Sequence, residues 1–179
     1  MPRIAYQPHS LAEPEALIAA IRSRRGGRLI NLDRMLLHSP PLAAGWNGYL
    51  KAVRTELSLD ARLRELAILA VAMLNSADYE FQQHAPVYLA AGGTAAEVEA
   101  LAHPERAMSQ QALFDDTSRG VLRLTIEMTR SVDVQDSTFA AVHAILGDRR
   151  TVELVGVIAT YNMVSRFLVA LGVSPEGEH

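Results

Sequence analysis

The chain has 179 residues, 49% of them apolar, a formal charge of −3 and no cysteine. That length and composition suit one domain, residues 1–179, able to bury its own core without metals or disulfides. The modest negative charge offers no general attraction to nucleic acid or anionic lipid, and the missing thiols exclude disulfides, zinc–thiolate sites and every form of sulfur redox catalysis.

The start of the chain, Met1-Pro-Arg-Ile-Ala-Tyr-Gln-Pro-His9, lacks the basic and apolar runs of an export signal. The longest apolar stretch, residues 66–74, falls well short of the roughly 20 residues needed to cross a bilayer. The expectation is a cytoplasmic protein with neither membrane nor nucleic acid among its partners. In chain order, Ser10-Leu-Ala-Glu13 has the pattern of a capping box and predicts a helix to about Arg25, stopped by Gly26-Gly27. Ser39-Pro-Pro41 predicts the next start, for a helix carrying Trp46, Tyr49 and Leu50. A third helix is expected from Asp60 to about Asn75-Ser76, and a fourth from about Ala77 to Ala91, closed by Gly92-Gly93. Thr94-Ala-Ala-Glu97 is a second capping-box pattern, and His103-Pro104 breaks the short helix it opens. Three further helices are expected over about 109–131, 136–146 and 149–171, with Gly147 as a stop and a disordered tail at 174–179. No stretch has period-2 patterning, so the fold class is all-α.

The third helix has almost no polar face from Leu63 to Leu74, so it must be buried all round. A domain of this size rarely encloses a helix completely, which makes a homo-oligomer the economical expectation. Glu65 in that helix needs a partner or a task, since an unpaired carboxylate out of water is unstable. An ion pair with Arg62, Arg64 or Arg166 would satisfy it structurally, and a catalytic role is the alternative. Glu80 and His84 are four residues apart on one helix, within hydrogen-bond reach, and form an acid/base candidate or a solvated surface pair. Tyr79 beside them could donate to a substrate oxygen or pack in the core. Asn162 and Arg166, also four apart, could hold a substrate carboxylate or an internal acid, and Trp46 completes the candidate substrate-binding set. A metal on Glu65, Glu80 and His84 is conceivable, but Glu-x-x-x-His occurs once with no second ligand set, so neither metal nor cofactor is expected.

Leu59 to Ala72, Tyr79-Glu-Phe-Gln-Gln-His84 and Ala91 to Leu101 together resemble the carboxymuconolactone decarboxylase family, which includes the AhpD-like alkylhydroperoxidases; residues 153–172 are similar to its closing helix. The resemblance implies a helical fold that assembles as dimers, trimers or hexamers around a pocket at the central helix pair. In the AhpD-like branch it implies a glutamate, a Cys-x-x-Cys and a histidine. Glu65 and His84 match the first and last, while Ala77 and Glu80 stand where the cysteines would be, so thiol-dependent peroxidase activity is lost. In the decarboxylase branch it implies Glu-x-x-x-His, which Glu80 and His84 match. The leading expectation is a cofactor-independent acid/base enzyme, a decarboxylase-like lyase acting on a small organic acid or lactone. His84 would move the proton, Glu80 orient it, and Glu65 serve as second carboxylate or relay. The alternative is a non-catalytic oligomeric member that binds a small ligand or a partner protein, with the three side chains as a structural network.

Overall fold

Side-chain oxygens standing just ahead of apolar runs start three of the helices in the computed structural model, which describes residues 2–177. All regular elements among the described residues are α-helices, as the patterning predicts. They fall into two compact units, one formed by residues up to 56 and from 168 onward, the other by residues 57–167.

The first unit holds α1 (Glu15–Arg24), α2 (Asn31–Leu36) and α3 (Pro40–Thr55). Ser10 does not cap α1. It lies in a turn closed by Leu11 N–H donating to Pro8 O at 3.1 Å, and the helix starts only after Pro14, which disfavours helical dihedrals at the residue before it. The short α2 was not expected, because six residues are too few to show a period. Asp33 fixes it by accepting from Ile30 N at 3.3 Å and pairing with Arg25 at 3.2 Å. α3 begins at Pro40-Pro41 as predicted and buries Trp46, Leu50 and Val53. Residues 174–176 are not loose: Asn31 donates to Ser174 O at 3.0 Å and to Glu176 Oε1 at 2.8 Å, and Ser174 N–H donates to Tyr6 Oη at 3.0 Å. Glu178 and His179, also in the expected disordered tail, lie outside the described residues.

The second unit is built around α4 (Ala61–Leu74), which packs mainly against α5 (Asp78–Ala90) and α8 (Asp116–Arg130). Between them run α6 (Ala95–Leu101) and α7 (Pro104–Ala107), and α9 (Asp136–Leu171) follows. α9 is two helical stretches joined at Gly147, whose φ of 71° and ψ of 175° only glycine takes readily, and the stop sits where the sequence puts it. α8 starts later than expected, because Asp115 accepts from Ser118 N at 2.7 Å and so sets the N-terminus there. Asp60 caps α4 through Arg62 N at 2.9 Å and Leu63 N at 3.2 Å. Every residue from 66 to 72 is wholly buried within the single chain. α4 therefore needs no second subunit to cover it, whereas Val152–Leu171, to which the same expectation applied, leaves Val152, Met163 and Val169 exposed.

The Thr94 capping box forms as predicted, with Glu97 N donating to Thr94 Oγ1 at 3.2 Å and Thr94 N donating to Glu97 Oε2 at 2.6 Å. Glu97 also pairs with Arg62, which donates to Ser118 Oγ at 3.2 Å and lies 5.8 Å from the centre of the Tyr88 ring. The two glycines after α5 have different reasons. Gly92 supplies a φ of 97°, whereas a Cβ on Gly93 would stand 2.3 Å from Cε1 of Tyr88. Tyr88 is fully buried, so its ring has nowhere to go. Gly93→Ala should lower stability by about 1–3 kcal/mol through overpacking, measured as a fall in the urea midpoint at unchanged slope; an unaltered midpoint would show that the ring yields freely.

Candidate active site

Glu65 stands on α4 and Glu80 and His84 on α5, so the angle between two helices decides whether they meet. That angle is set at the elbow Asn75-Ser76-Ala77. Ser76 adopts a left-handed φ of 55°, and Ala77 N–H reaches back to Ala72 O at 2.8 Å, closing α4 in the manner usually left to glycine. Arg130 Nη1 donates to Leu74 O at 3.0 Å, satisfying a carbonyl at the helix end. Asn75 donates to Asn162 Oδ1 at 3.0 Å, and Asn162 in turn donates to Thr129 Oγ1 and Ile158 O, each at 3.0 Å. α8 and α9 thus hold the elbow still.

With that geometry His84 lies between two carboxylates. Its Nδ1 is 2.6 Å from Glu65 Oε2 and its Nε2 is 3.0 Å from Glu80 Oε1. Glu65 is held from the far side by Arg64 Nε, 3.1 Å from Oε1. All three of Glu65, Glu80 and His84 are buried, and Tyr161 meets the imidazole in a T-shaped contact at 5.0 Å between ring centres. Burial alone would push the His84 pKa down, but the hydrogen bonds and charges of Glu65 and Glu80 outweigh it and raise it above the usual imidazole value. Burial alone would raise Glu65, and the His84 and Arg64 contacts overcome that and hold it below the usual carboxylate range. The two carboxylates thus favour the imidazolium form, with Nδ1 against Glu65 and Nε2 against Glu80.

This array is a line: Arg64, Glu65, His84, Glu80. One polar atom in it is left over. Glu80 Oε2 is buried and has no hydrogen-bond partner. A buried carboxylate oxygen with no donor is unstable, so it is either a point of strain or the atom that meets a ligand. Both imidazole nitrogens are occupied, so neither can coordinate a cation, and no group of metal-ligating side chains large enough to hold an ion occurs among the described residues.

Of the residues singled out from the sequence, Glu65, Glu80 and His84 come together. Tyr79 is buried on α5 beside Glu80, and Trp46 is buried on α3 in the other unit. Asn162 and Arg166 do pair, at 2.7 Å through Oδ1, but every hydrogen-bonding position of the Asn162 amide is filled within the protein. Asn162 therefore serves the elbow and has no valence left for a substrate. Two site residues carried too little signal to be placed beforehand. Arg64 was one of three candidate partners for Glu65, and Tyr161 is one apolar-helix residue among many until α9 is laid beside His84.

The whole chain matches solved helical proteins. An uncharacterised peroxidase-related protein from Silicibacter sp. TM1040 superposes with a TM-score of 0.82 at 18% identity, covering 98% of this chain and 94% of its own. An uncharacterised peroxidase-related protein with an alkylhydroperoxidase AhpD core, from Ralstonia eutropha JMP134, gives 0.80 at 17% identity over 98% and 93%. A variant of the debrominase Bmp8 in complex with 2,3,4-tribromopyrrole gives 0.81 at 14% identity over 99% and 95%. At such identities the likeness establishes the AhpD-like helical fold. A comparison with curated protein sequences gives no match. Residues 40–117 match the model of the carboxymuconolactone decarboxylase family, a span that contains Arg64, Glu65, Glu80 and His84.

Proposed function

We propose that the chain is a cofactor-independent acid/base enzyme that transfers a proton on, or decarboxylates, a small organic acid or lactone. The observation that carries this is the buried, unpartnered Oε2 of Glu80, whose other oxygen lies 3.0 Å from a histidine that is itself fixed on its far side. The geometry exchanges two roles relative to the sequence reading. His84 has no free nitrogen, so Glu80 is the group that meets the substrate, through Oε2, and His84 acts behind it. Glu65 holds the ring in one orientation and balances its charge, and Arg64 keeps Glu65 ionised.

In a proton transfer, Oε2 takes a proton from one substrate atom and returns it to another. In a decarboxylation, the carbon–carbon bond to the departing carboxylate breaks and its electron pair passes into an adjacent carbonyl as an enolate. Glu80, having first taken up a proton from solvent, then protonates the enolate carbon and returns to the carboxylate. Neither step calls on a thiol, in keeping with a chain that has none. An assay of lactones and β-keto acids should find turnover that falls about 10²- to 10⁴-fold in Glu80→Gln and in His84→Gln. Variants that keep their helical circular dichroism and turn over like wild type would end this reading.

The same array fixes the direction of the pH dependence of stability. His84 is raised in the folded state, so its contribution is complete below about pH 6.5, the unfolded value, and is lost as pH climbs through the higher folded value. Glu65 is lowered, so its contribution is complete above about pH 4.3 and is lost as pH falls through its lower folded value. Melting temperature should therefore form a plateau whose alkaline shoulder lies above pH 6.5. Its assignment is checked by NMR titration of the His84 ring: the inflection should move down in Glu80→Gln, and no movement would remove Glu80 from the pair.

A further inference from the structure

Away from the carboxylate line, α8 and the start of α9 border a cavity of about 340 Å³. Arg119, Gly120 and Arg123 line it from α8, Ser137 and Ala141 from α9, and Met108 from the segment after α7. The two arginines are four apart on one helix, so two like charges share a face, an unfavourable arrangement that an anion between them would relieve. Arg119 donates Nη2 to Asp116, whose carboxylate is 89% exposed and heavily screened by water. Its Nε is buried without an acceptor. Among the described residues neither the Arg123 guanidinium nor the Ser137 hydroxyl has a partner. A guanidinium N–H out of water without an acceptor is destabilising, and an oxyanion in the cavity would supply one at the expense only of a screened surface pair.

Gly120 adds an independent observation. It lies inside α8, where glycine is unfavourable relative to alanine. Packing does not require it, because a Cβ there would stand 3.5 Å from Val142 Cγ2, an ordinary contact. What the missing side chain leaves is open space beside the two arginines.

We infer that this cavity binds a small phosphate monoester, its phosphate held between Arg119 and Arg123 with the Ser137 hydroxyl as a further donor. Two guanidinium groups offset the roughly two negative charges of a monoester at neutral pH. Its three terminal oxygens accept from two forks and a hydroxyl together, which the two oxygens of a carboxylate do less completely. The volume is that of a small ligand pocket, and it leaves room for an organic group against Met108 and Ala141 that inorganic phosphate would not fill. Glu65, Glu80 and His84 do not line the cavity, so the inference stands apart from the acid/base reading.

Isothermal titration calorimetry would compare glycerol 3-phosphate, ribose 5-phosphate and phenyl phosphate with inorganic phosphate, glutarate and the matching alcohols. At least one monoester should bind wild type about tenfold more tightly than inorganic phosphate or glutarate. Arg123→Gln, at an exposed position that does not threaten the fold, should weaken that ester about tenfold, as should Arg119→Gln. Gly120→Leu, which fills the cavity and leaves both charges, should abolish binding while helical circular dichroism is kept. In amide NMR spectra the ester should shift Gly120 and Ser137 and leave His84 in place. The inference is overturned if no monoester binds, if inorganic phosphate, glutarate or an alcohol binds as tightly, or if affinity survives Arg123→Gln or Gly120→Leu unchanged. Shifts centred on His84 would equally overturn it, by placing the phosphate at the carboxylate line.

Discussion

A histidine clamped at both nitrogens between buried carboxylates is the constraint from which the rest of this structure follows. Taking one carboxylate out of water is unfavourable, and taking out two is tolerated here only because an imidazolium lies between them. The clamp needs α4 and α5 at one fixed angle, since Glu65 is on one helix and Glu80 and His84 on the other. The elbow supplies that angle at a local disadvantage: Ser76 takes a left-handed conformation that costs a non-glycine residue about 1 kcal/mol. The surrounding hydrogen bonds of Asn75, Asn162 and Arg130 hold it there.

Two polar networks in the second unit are closed, whereas the carboxylate line keeps one buried oxygen without a donor. Glu97 caps α6 and binds Arg62, and Asn162 has each amide valence filled. These are closed networks, and closed networks rigidify. The Arg64 to Glu80 line is closed in its interior and leaves Glu80 Oε2 buried without a donor at one end. A fixed interior with one unsatisfied tip lets a donor that arrives at Oε2 bind without reorganising the line.

The parts of this arrangement that were legible in the sequence are those set by spacing along one helix. Glu80 and His84 are four apart, and that alone places them side by side. Thr94 and Glu97 make a capping box for the same reason, and Gly147 stops a helix wherever the chain is drawn. Ser10 and Glu13 have the same spacing and fail, because Pro14 denies Glu13 the helical region, a veto that local pattern counting does not weigh. The choice of Arg64 over Arg62 or Arg166 for Glu65 was not legible, since all three depend on how helices cross. Nor was the unpartnered Oε2 of Glu80, which shows only once His84 Nε2 stands 3.0 Å from Oε1. The apolar character of residues 66–72 was read correctly as full burial and wrongly as needing a second chain, because the wrapping capacity of α5, α8 and their neighbours is a tertiary property.

The absence of cysteine gains its meaning from where Glu80 stands. It occupies the first turn of α5, where the aligned peptide dipoles favour negative charge, and it faces a cationic imidazole one turn on. The same field would favour a thiolate, and the family resemblance places a cysteine at this position in the AhpD-like branch. An anion-stabilising helix start and a histidine therefore serve either side chain. What differs is redox chemistry: a thiolate can give up electrons and form a disulfide, whereas a carboxylate cannot. With Ala77 at the other cysteine position, buried and without a reactive group, the electron path is absent from both ends of the pair.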